Sequence, residues 1–180
     1  MARSILILFV FLCGSASADQ YDAKLGKLFS ELQQTLETDK GKAITQEIWD
    51  VWYQVSDEEA KDLFDQGIAF MSQADFRSAL LTFTRLTEIK PDFAEAWNRR
   101  ATLLYIMGEF NLSMQDIKHT LELEPRHFGA ISGLGQIYMR QNKLIQARKA
   151  FEKALEINPH LEGARINIRT INKLLSENSV

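Results

Sequence analysis

The chain has 180 residues, of which 46% are hydrophobic and 25% charged, enough apolar material for the core of one globular domain. Its net charge of −3 argues against a nucleic-acid partner, because binding to phosphates needs a concentrated basic surface. A single cysteine excludes an internal disulfide and a zinc site built from several cysteines.

The N-terminus has the pattern of an export signal. Arg3 supplies a positive charge, residues 5–13 are an apolar run, and residues 16–18 form the A-x-A motif that precedes cleavage. The run is about half the roughly 20 residues that span a membrane. We therefore expect cleavage before Asp19, export to the bacterial periplasm, and membrane contact only if the segment is retained. Cleavage would also remove Cys13, the one cysteine.

Two helical patterns precede the main part of the chain. The first runs from about Tyr21 to Thr38 and the second from Ile44 to Trp52, and residues 39–41 between them (Asp-Lys-Gly) are typical of a turn. The apolar residues at helical spacing are Leu25, Leu28, Phe29, Leu32 and Leu36 in the first pattern and Ile44, Ile48, Val51 and Trp52 in the second.

The rest of the chain repeats with a period of 34 residues. The three prolines of the sequence, Pro91, Pro125 and Pro159, are separated by 34 and 34 residues, and each follows a similar phrase (LTEIKP, LELEP, LEINP). Proline cannot continue a helix, so each one ends a helix and turns the chain into the next unit. A strict period of this size indicates stacked helix–turn–helix units.

These units resemble the tetratricopeptide repeat (TPR) family over about 100 residues. Small residues stand where two helices of a pair approach, and large residues fill the gaps between them. The residues that carry the resemblance are Leu63, Gly67, Phe70, Ala79 and Phe83 in the first unit, Trp97, Ala101, Leu104, Ser113 and Ile117 in the second, and Ile131, Gly135, Tyr138, Ala147, Phe151 and Ala154 in the third.

The resemblance implies an all-α fold, a right-handed α-solenoid of three helix pairs with an added helical pair in front and a capping helix behind. The expected layout is a signal peptide at 1–18, an N-terminal helical pair at 19–57, repeats at 60–93, 94–127 and 128–161, and a capping helix at 162–176.

Two positions depart from the family pattern. Gly108 and Asn142 stand where a helix ends in a left-handed residue, but the equivalent residue of the first repeat is Ala74, so we expect a different turn there. Arg100 replaces a residue that is commonly apolar, so we expect altered helix contacts in the second repeat.

No catalytic constellation is evident. His119, His127 and His160 do not have metal-ligand spacing, and we expect them to be solvated. Glu122 and Glu124 are expected to be exposed helix-end charges. The chain has no nucleophile elbow and no phosphate-binding or dinucleotide-binding loop. We therefore predict neither enzymatic activity nor a cofactor or metal.

Function is then expected to come from a surface. In the TPR family the first helices of the pairs line a groove that takes a peptide or helix of a partner protein. The resemblance assigns this partner-binding groove to Lys61, Phe64, Ile68 and Met71 in the first repeat, Asn98, Thr102 and Tyr105 in the second, and Ser132, Gln136, Met139 and Arg140 in the third.

Two alternatives stay open at this stage. Trp49, Trp52 and Tyr53 either cap the open end of the first repeat, which we favour, or form an exposed docking surface. The apolar residues Phe64, Ile68 and Met71 either face the groove or are covered by the N-terminal helices.

The predicted function is an exported scaffold for protein–protein interaction. The alternative is a regulatory or anchoring subunit of a cell-envelope enzyme complex. Members that bind chaperone tails clamp a carboxylate with Lys, Asn and Arg, but Phe64, Ile68, Gly129 and Gly133 occupy four of those positions here. A chaperone tail is therefore not the expected ligand.

Overall fold

The computed structural model describes residues 23–177, which form nine α-helices and no strand. Within that range no helix has the length and apolar character needed to cross a membrane. The helices are α1 (Ala23–Gln34), α2 (Thr38–Trp52), α3 (Glu58–Ser72), α4 (Phe76–Ile89), α5 (Ala94–Ile106), α6 (Phe110–Leu123), α7 (Phe128–Arg140), α8 (Leu144–Ile157) and α9 (Glu162–Glu177).

Three pairs, α3–α4, α5–α6 and α7–α8, pack side by side, as the period predicted. Gly67 lies against the ring of Phe83, where a Cβ would come within 2.7 Å of it. Gly135 meets Phe151 in the same way at 2.8 Å. A large ring on the second helix therefore occupies the space left by a glycine on the first. The last pair is followed by α9, whose Ile171 is buried against α8.

The boundary between α1 and α2 differs from the sequence prediction. α1 ends at Gln34, so Leu36 lies in the connecting loop and is 96% exposed. The predicted turn at residues 39–41 is wrong because these residues lie in the first turns of α2. Gly41 is buried there under the ring of His160, which leaves no room for a Cβ. This glycine provides space for a distant side chain and does not form a turn.

Helices α1 and α2, together with Tyr53 directly after α2, form what we call the N-terminal strap, which runs along one edge of the repeats. The predicted cap over the open end of the first repeat is wrong for the two tryptophans. Trp52 stacks on His127 at 4.1 Å between ring centroids, and Trp49 meets Phe128 edge-on at 5.4 Å. Only Tyr53 reaches the first repeat. The strap's other contacts are Tyr53 with Phe64 (5.9 Å), Asn158 Nδ2 donating to Thr45 Oγ1 (2.9 Å), and Gln33 Nε2 donating to Ile157 O (2.7 Å).

The strap therefore contacts all three repeats. It also accounts for His160, which is half-buried instead of solvated and whose Nε2 donates to the Thr35 carbonyl at 3.2 Å. His119, by contrast, is exposed, as expected.

In each of the three pairs, the residue at the equivalent position of the turn has a left-handed backbone conformation. The φ angle is +57° at Ala74, +84° at Gly108 and +56° at Asn142. The expectation of a different turn at Ala74 is therefore wrong. Since the pairs pack alike, tertiary packing imposes this conformation on a residue that disfavours it.

Arg100 alters the contacts of the second pair, as predicted. Its Nε and Nη2 donate to the two carboxylate oxygens of Asp116 at 2.7 and 2.8 Å, and its Nη1 donates to Thr87 Oγ1 at 2.8 Å. The guanidinium also lies 4.8 Å from the ring centre of Trp97.

The positive φ of Ala74 leads to the first prediction. We expect Ala74→Gly to raise the free energy of unfolding by about 1 kcal/mol, because glycine adopts the left-handed conformation without strain. Urea unfolding followed by circular dichroism measures the change. The control is Ala69→Gly at an exposed position inside α3, which should cost about 1 kcal/mol. Destabilisation by both substitutions would contradict the prediction.

Candidate functional site

A groove of about 390 Å³ lies between α5, α6 and α7, and we call it the inner groove. Its walls come mainly from the first helices of the second and third repeats, and its floor is apolar. The lining residues are Asn98, Ala101, Thr102, Tyr105, Ser113, Ile117, Gly129, Ala130, Gly133 and Gln136.

Two glycines of α7 shape this groove. A Cβ on Gly133 would meet only Ile117 Cδ1, at an ordinary 3.6 Å, so the missing side chain leaves space for a ligand. A Cβ on Gly129 would come within 2.5 Å of the Trp49 ring. Gly129 therefore makes room for Trp49 of the strap, which lies beside that end of the groove.

Several polar groups of the groove already have partners inside the protein. The hydroxyl of Thr102 donates to the carbonyl of Asn98 at 2.9 Å, and that of Ser113 donates to Ala101 O at 2.7 Å. Asn98 Nδ2 donates to Glu95 Oε2 at 2.9 Å. An amide has two N–H donors and an acceptor oxygen, so Asn98 keeps hydrogen-bonding capacity for a ligand.

A buried acid–imidazole pair lies beneath this end of the groove. Glu95 is 1% exposed and His127 is fully buried, with His127 Nε2 2.9 Å from Glu95 Oε2. His127 Nδ1 accepts from the backbone N–H of Ala130 at 3.1 Å, which caps α7. The acceptor role of Nδ1 places the ring proton on Nε2, which donates to Glu95. The prediction of a solvated His127 is wrong, because Trp52 of the strap covers its ring.

The same carboxylate connects the strap to α5. Arg99 Nε lies 2.7 Å from Glu95 Oε1, and Arg99 Nη2 donates to the hydroxyl of Tyr53. Burial raises the pKa of the Tyr53 hydroxyl above its usual range, and the charge of Arg99 only partly offsets this. The hydroxyl is thus neutral at physiological pH and serves as an acceptor for Arg99.

The prediction that Glu124 is an exposed charge is also wrong. It is buried instead of exposed, and its two oxygens accept from Arg126 Nε and Nη2, both at 2.9 Å. The guanidinium of Arg126 also lies 4.4 Å from the ring centre of Phe29 in the strap. Arg126 therefore partners the buried charge of Glu124 and holds α1 against the repeats.

The structure brings together part of the predicted partner-binding groove. Asn98, Thr102, Tyr105 and Gln136 line the inner groove, and Arg140 Nε donates to the Tyr105 hydroxyl at 3.3 Å. Phe64 lies in the core, which decides its alternative in favour of burial. The other predicted residues do not line the inner groove. Ile68 and Met71 are half-buried against the core of the first repeat, and Met139 packs toward α8 and α9. Lys61 is exposed and paired with Asp65, and Ser132 is half-buried.

Sequence reasoning missed the back wall of the groove. Ser113 and Ile117 come from the second helix of their pair, one turn apart, and Ala101 and Ala130 complete the floor. The small side chains of the first helices could have indicated these residues, since they leave the second helix in contact with the groove.

Comparisons with known proteins agree with this architecture. The tetratricopeptide repeat model matches residues 129–161. A TPR repeat-containing protein of Rhizobium etli is 34% identical over 155 residues, which cover 86% of this chain and 76% of that protein. The chain belongs to the tetratricopeptide repeat family. The bimA protein of Emericella nidulans is 30% identical over 93 residues, 52% of this chain but 12% of that protein.

Solved TPR structures show the same fold. The first TPR of Spaghetti (RPAP3), described as bound to the HSP90 peptide SRMEEVD, superposes with a TM-score of 0.64 at 23% identity and covers 68% of this chain and 97% of that one. The Sgt2 TPR domain of Aspergillus fumigatus gives 0.64 at 21% identity, over 68% and 83% of the two chains. These likenesses confirm the predicted all-α TPR fold.

The buried carboxylate of this TPR protein leads to the second prediction. Glu95→Ala removes the partner of His127, Asn98 and Arg99 together, and we expect it to lower the free energy of unfolding by about 3 kcal/mol. Urea unfolding followed by tryptophan fluorescence measures the loss, since Trp52 stacks on His127.

The matched control for Glu95→Ala is Glu59→Ala, which removes an exposed carboxylate 3.8 Å from Arg85. Surface ion pairs contribute little, so its unfolding curve should match that of the parent protein. Equal effects of the two substitutions would show that the buried carboxylate does not hold the strap.

Proposed function

We propose that this TPR protein is an exported scaffold for protein–protein interaction that binds a short segment of a partner in the inner groove. The observation that carries the proposal is the open space over Gly133, with an apolar floor and Asn98 at its wall. Apolar pockets with a few placed polar groups are the usual form of a binding site.

The size of the groove sets the length of the segment. From Gly129 to Gln136 the groove follows α7 for about 10 Å at 1.5 Å per residue, which accommodates about three residues of extended chain. Trp49 lies beside one end, and Arg140 stands beside Tyr105 at the other. The cationic side chain of Arg140 favours a segment with an acidic group at that end.

The ligand we propose differs from a chaperone tail. The RPAP3 domain is described with an HSP90 peptide, but this chain has Phe64 and Ile68 at two of the clamp positions of chaperone-binding members. Phe64 is buried under Tyr53 and Phe93. These residues favour a ligand recognised by apolar contact and by Asn98.

Filling the groove gives the third prediction. We expect Gly133→Leu to abolish partner capture, because its side chain would occupy the groove without a clash at Cβ. A photo-crosslinking amino acid at Thr102, which is exposed in the groove, measures capture in native cells. Gly133→Ala is the matched control and should retain at least half of the crosslinked product.

The crosslinking experiment tests both the binding site and the role of the partner. Undiminished crosslinking by Gly133→Leu would show that the partner does not enter the inner groove. A captured partner that is an envelope enzyme would favour the alternative role, a regulatory or anchoring subunit of its complex.

The location of the protein is a separate proposal, supported by the export pattern at residues 1–18, which lie outside the described residues. The fourth prediction is that the full chain, produced in a Gram-negative bacterium, is recovered from the periplasm with Asp19 as its first residue. N-terminal sequencing measures this, with Ala16→Asp and Ala18→Asp together as the uncleaved control. Recovery of the unprocessed chain from the cytoplasm would contradict it.

A further inference from the structure

The junctions between consecutive repeats have a groove on the side of the second helices. Between the first and second repeats it is a cavity of about 270 Å³. Between the second and third it consists of two adjoining cavities of about 420 and 500 Å³ that share Leu121, Leu134 and Tyr138. We call the second one the outer groove; Lys118, Glu122, Ile131, Lys149, Ala150 and Lys153 also line it.

The smaller groove is narrowed by a charged pair of the protein itself, which lines it. Arg100 lies across it in a bidentate pair with Asp116 and also donates to Thr87. Trp97 packs on the guanidinium. The polar groups of this junction therefore satisfy one another.

One repeat later, the same positions are apolar. A shift of 34 residues replaces Arg100 by Leu134 and Asp116 by Ala150. The corresponding replacements of Thr87 and Trp97 are Leu121 and Ile131. These shorter side chains cannot bridge the junction, and the outer groove opens with an apolar floor.

The rim of the groove, in contrast to its floor, gains charge from the first junction to the second. Three positions that are Thr84, Gln115 and His119 at the first junction become Lys118, Lys149 and Lys153 at the outer groove. The one acidic rim residue, Glu122, is matched by Glu88 and so does not account for the difference.

Two of these lysines have ion-pair partners on their own helices. Lys118 lies 3.5 Å from Glu122 and Lys153 lies 2.8 Å from Glu156, but both pairs are exposed to solvent. Exposed pairs contribute little and exchange readily for a new partner. The outer groove therefore combines an apolar floor with cations that can turn toward a ligand.

The outer groove is also separate from the inner groove. Gly129, Gly133 and Gln136 line the inner groove, whereas Ile131, Leu134 and Tyr138 line the outer one. At 3.6 residues per turn these two sets lie on opposite sides of α7. Ile117 of α6 borders both grooves, but a ligand in each would contact a different face of α7.

We propose that the outer groove binds an acidic amphipathic segment of a partner protein, whose apolar residues contact Leu121, Leu134 and Tyr138 and whose carboxylates meet the three lysines. Apolar contact supplies the affinity, and the opposite charge of the rim selects the segment. The second and third repeats can then hold two segments at once, one on each side of α7.

The probe for this site is a synthetic 15-residue peptide with leucines at helical spacing and glutamates at the other positions. We expect it to bind with chemical-shift changes concentrated at Leu134, Tyr138 and Ala150 in 15N NMR spectra. A matched peptide with lysine in place of glutamate should bind at least ten-fold more weakly. Absence of binding by the glutamate peptide, or equal binding of the two peptides, would overturn the proposal.

Rebuilding the first junction in the outer groove gives the fifth prediction. Leu134→Arg with Ala150→Asp reproduces the Arg100–Asp116 pair, and we expect the affinity for the glutamate peptide to fall at least ten-fold. Fluorescence anisotropy of the labelled peptide measures the affinity. The control is Leu81→Arg, which adds an arginine at an exposed site on α4 outside the outer groove and should leave the affinity unchanged. Retained affinity in the double variant would overturn the proposal.

A second pair of variants covers the case in which the double variant does not fold. Lys149→Glu reverses one rim charge and should lower the affinity for the glutamate peptide at least three-fold. Lys27→Glu on α1 should leave that affinity unchanged. Equal effects would mean that only net charge matters and would overturn the proposal. A dimer in light scattering that the double variant loses would assign the groove to a second copy of the chain instead.

Discussion

The structure depends most on the buried carboxylate of Glu95. It accepts hydrogen bonds from Asn98 and His127 and pairs with Arg99, so one residue of α5 is joined to α7 and, through Tyr53, to the strap. A buried charge is tolerated only when its partners are present. The second repeat, the third repeat and the strap must therefore come together in one arrangement.

That arrangement determines the inner groove. Because His127 is held by Glu95 and covered by Trp52, the start of α7 lies at a fixed distance from the strap. Trp49 then lies against Gly129 at one end of the groove, while Gly133 one turn later leaves the groove open. In the proposed binding mode the strap therefore sets where a bound segment begins, and it contributes no residue to the lining of the groove.

The two junctions between repeats show how a constant frame carries different surfaces. The helices at both junctions have equivalent positions, yet Arg100 and Asp116 line the smaller groove with a charged pair, whereas Leu134 and Ala150 give the larger one an apolar floor. A few side-chain replacements alter the surface chemistry without a change in the backbone plan. Binding properties of TPR chains therefore have to be derived from side chains at each junction and not from the fold.

The sequence by itself determined the repeats, because the 34-residue period of the prolines and the pairing of Gly67 with Phe83 and of Gly135 with Phe151 depend on spacing within one helix pair. Only the tertiary structure decided where the strap lies, since most of its contacts, such as those of Trp52 with His127 and of Thr45 with Asn158, join residues more than 70 positions apart. The same long-range contacts placed Gly41 in a helix beneath His160 and buried His127, against local expectations. Local pattern specifies which helices form and pair, whereas the burial of a polar or small residue depends on a distant neighbour that no local pattern contains.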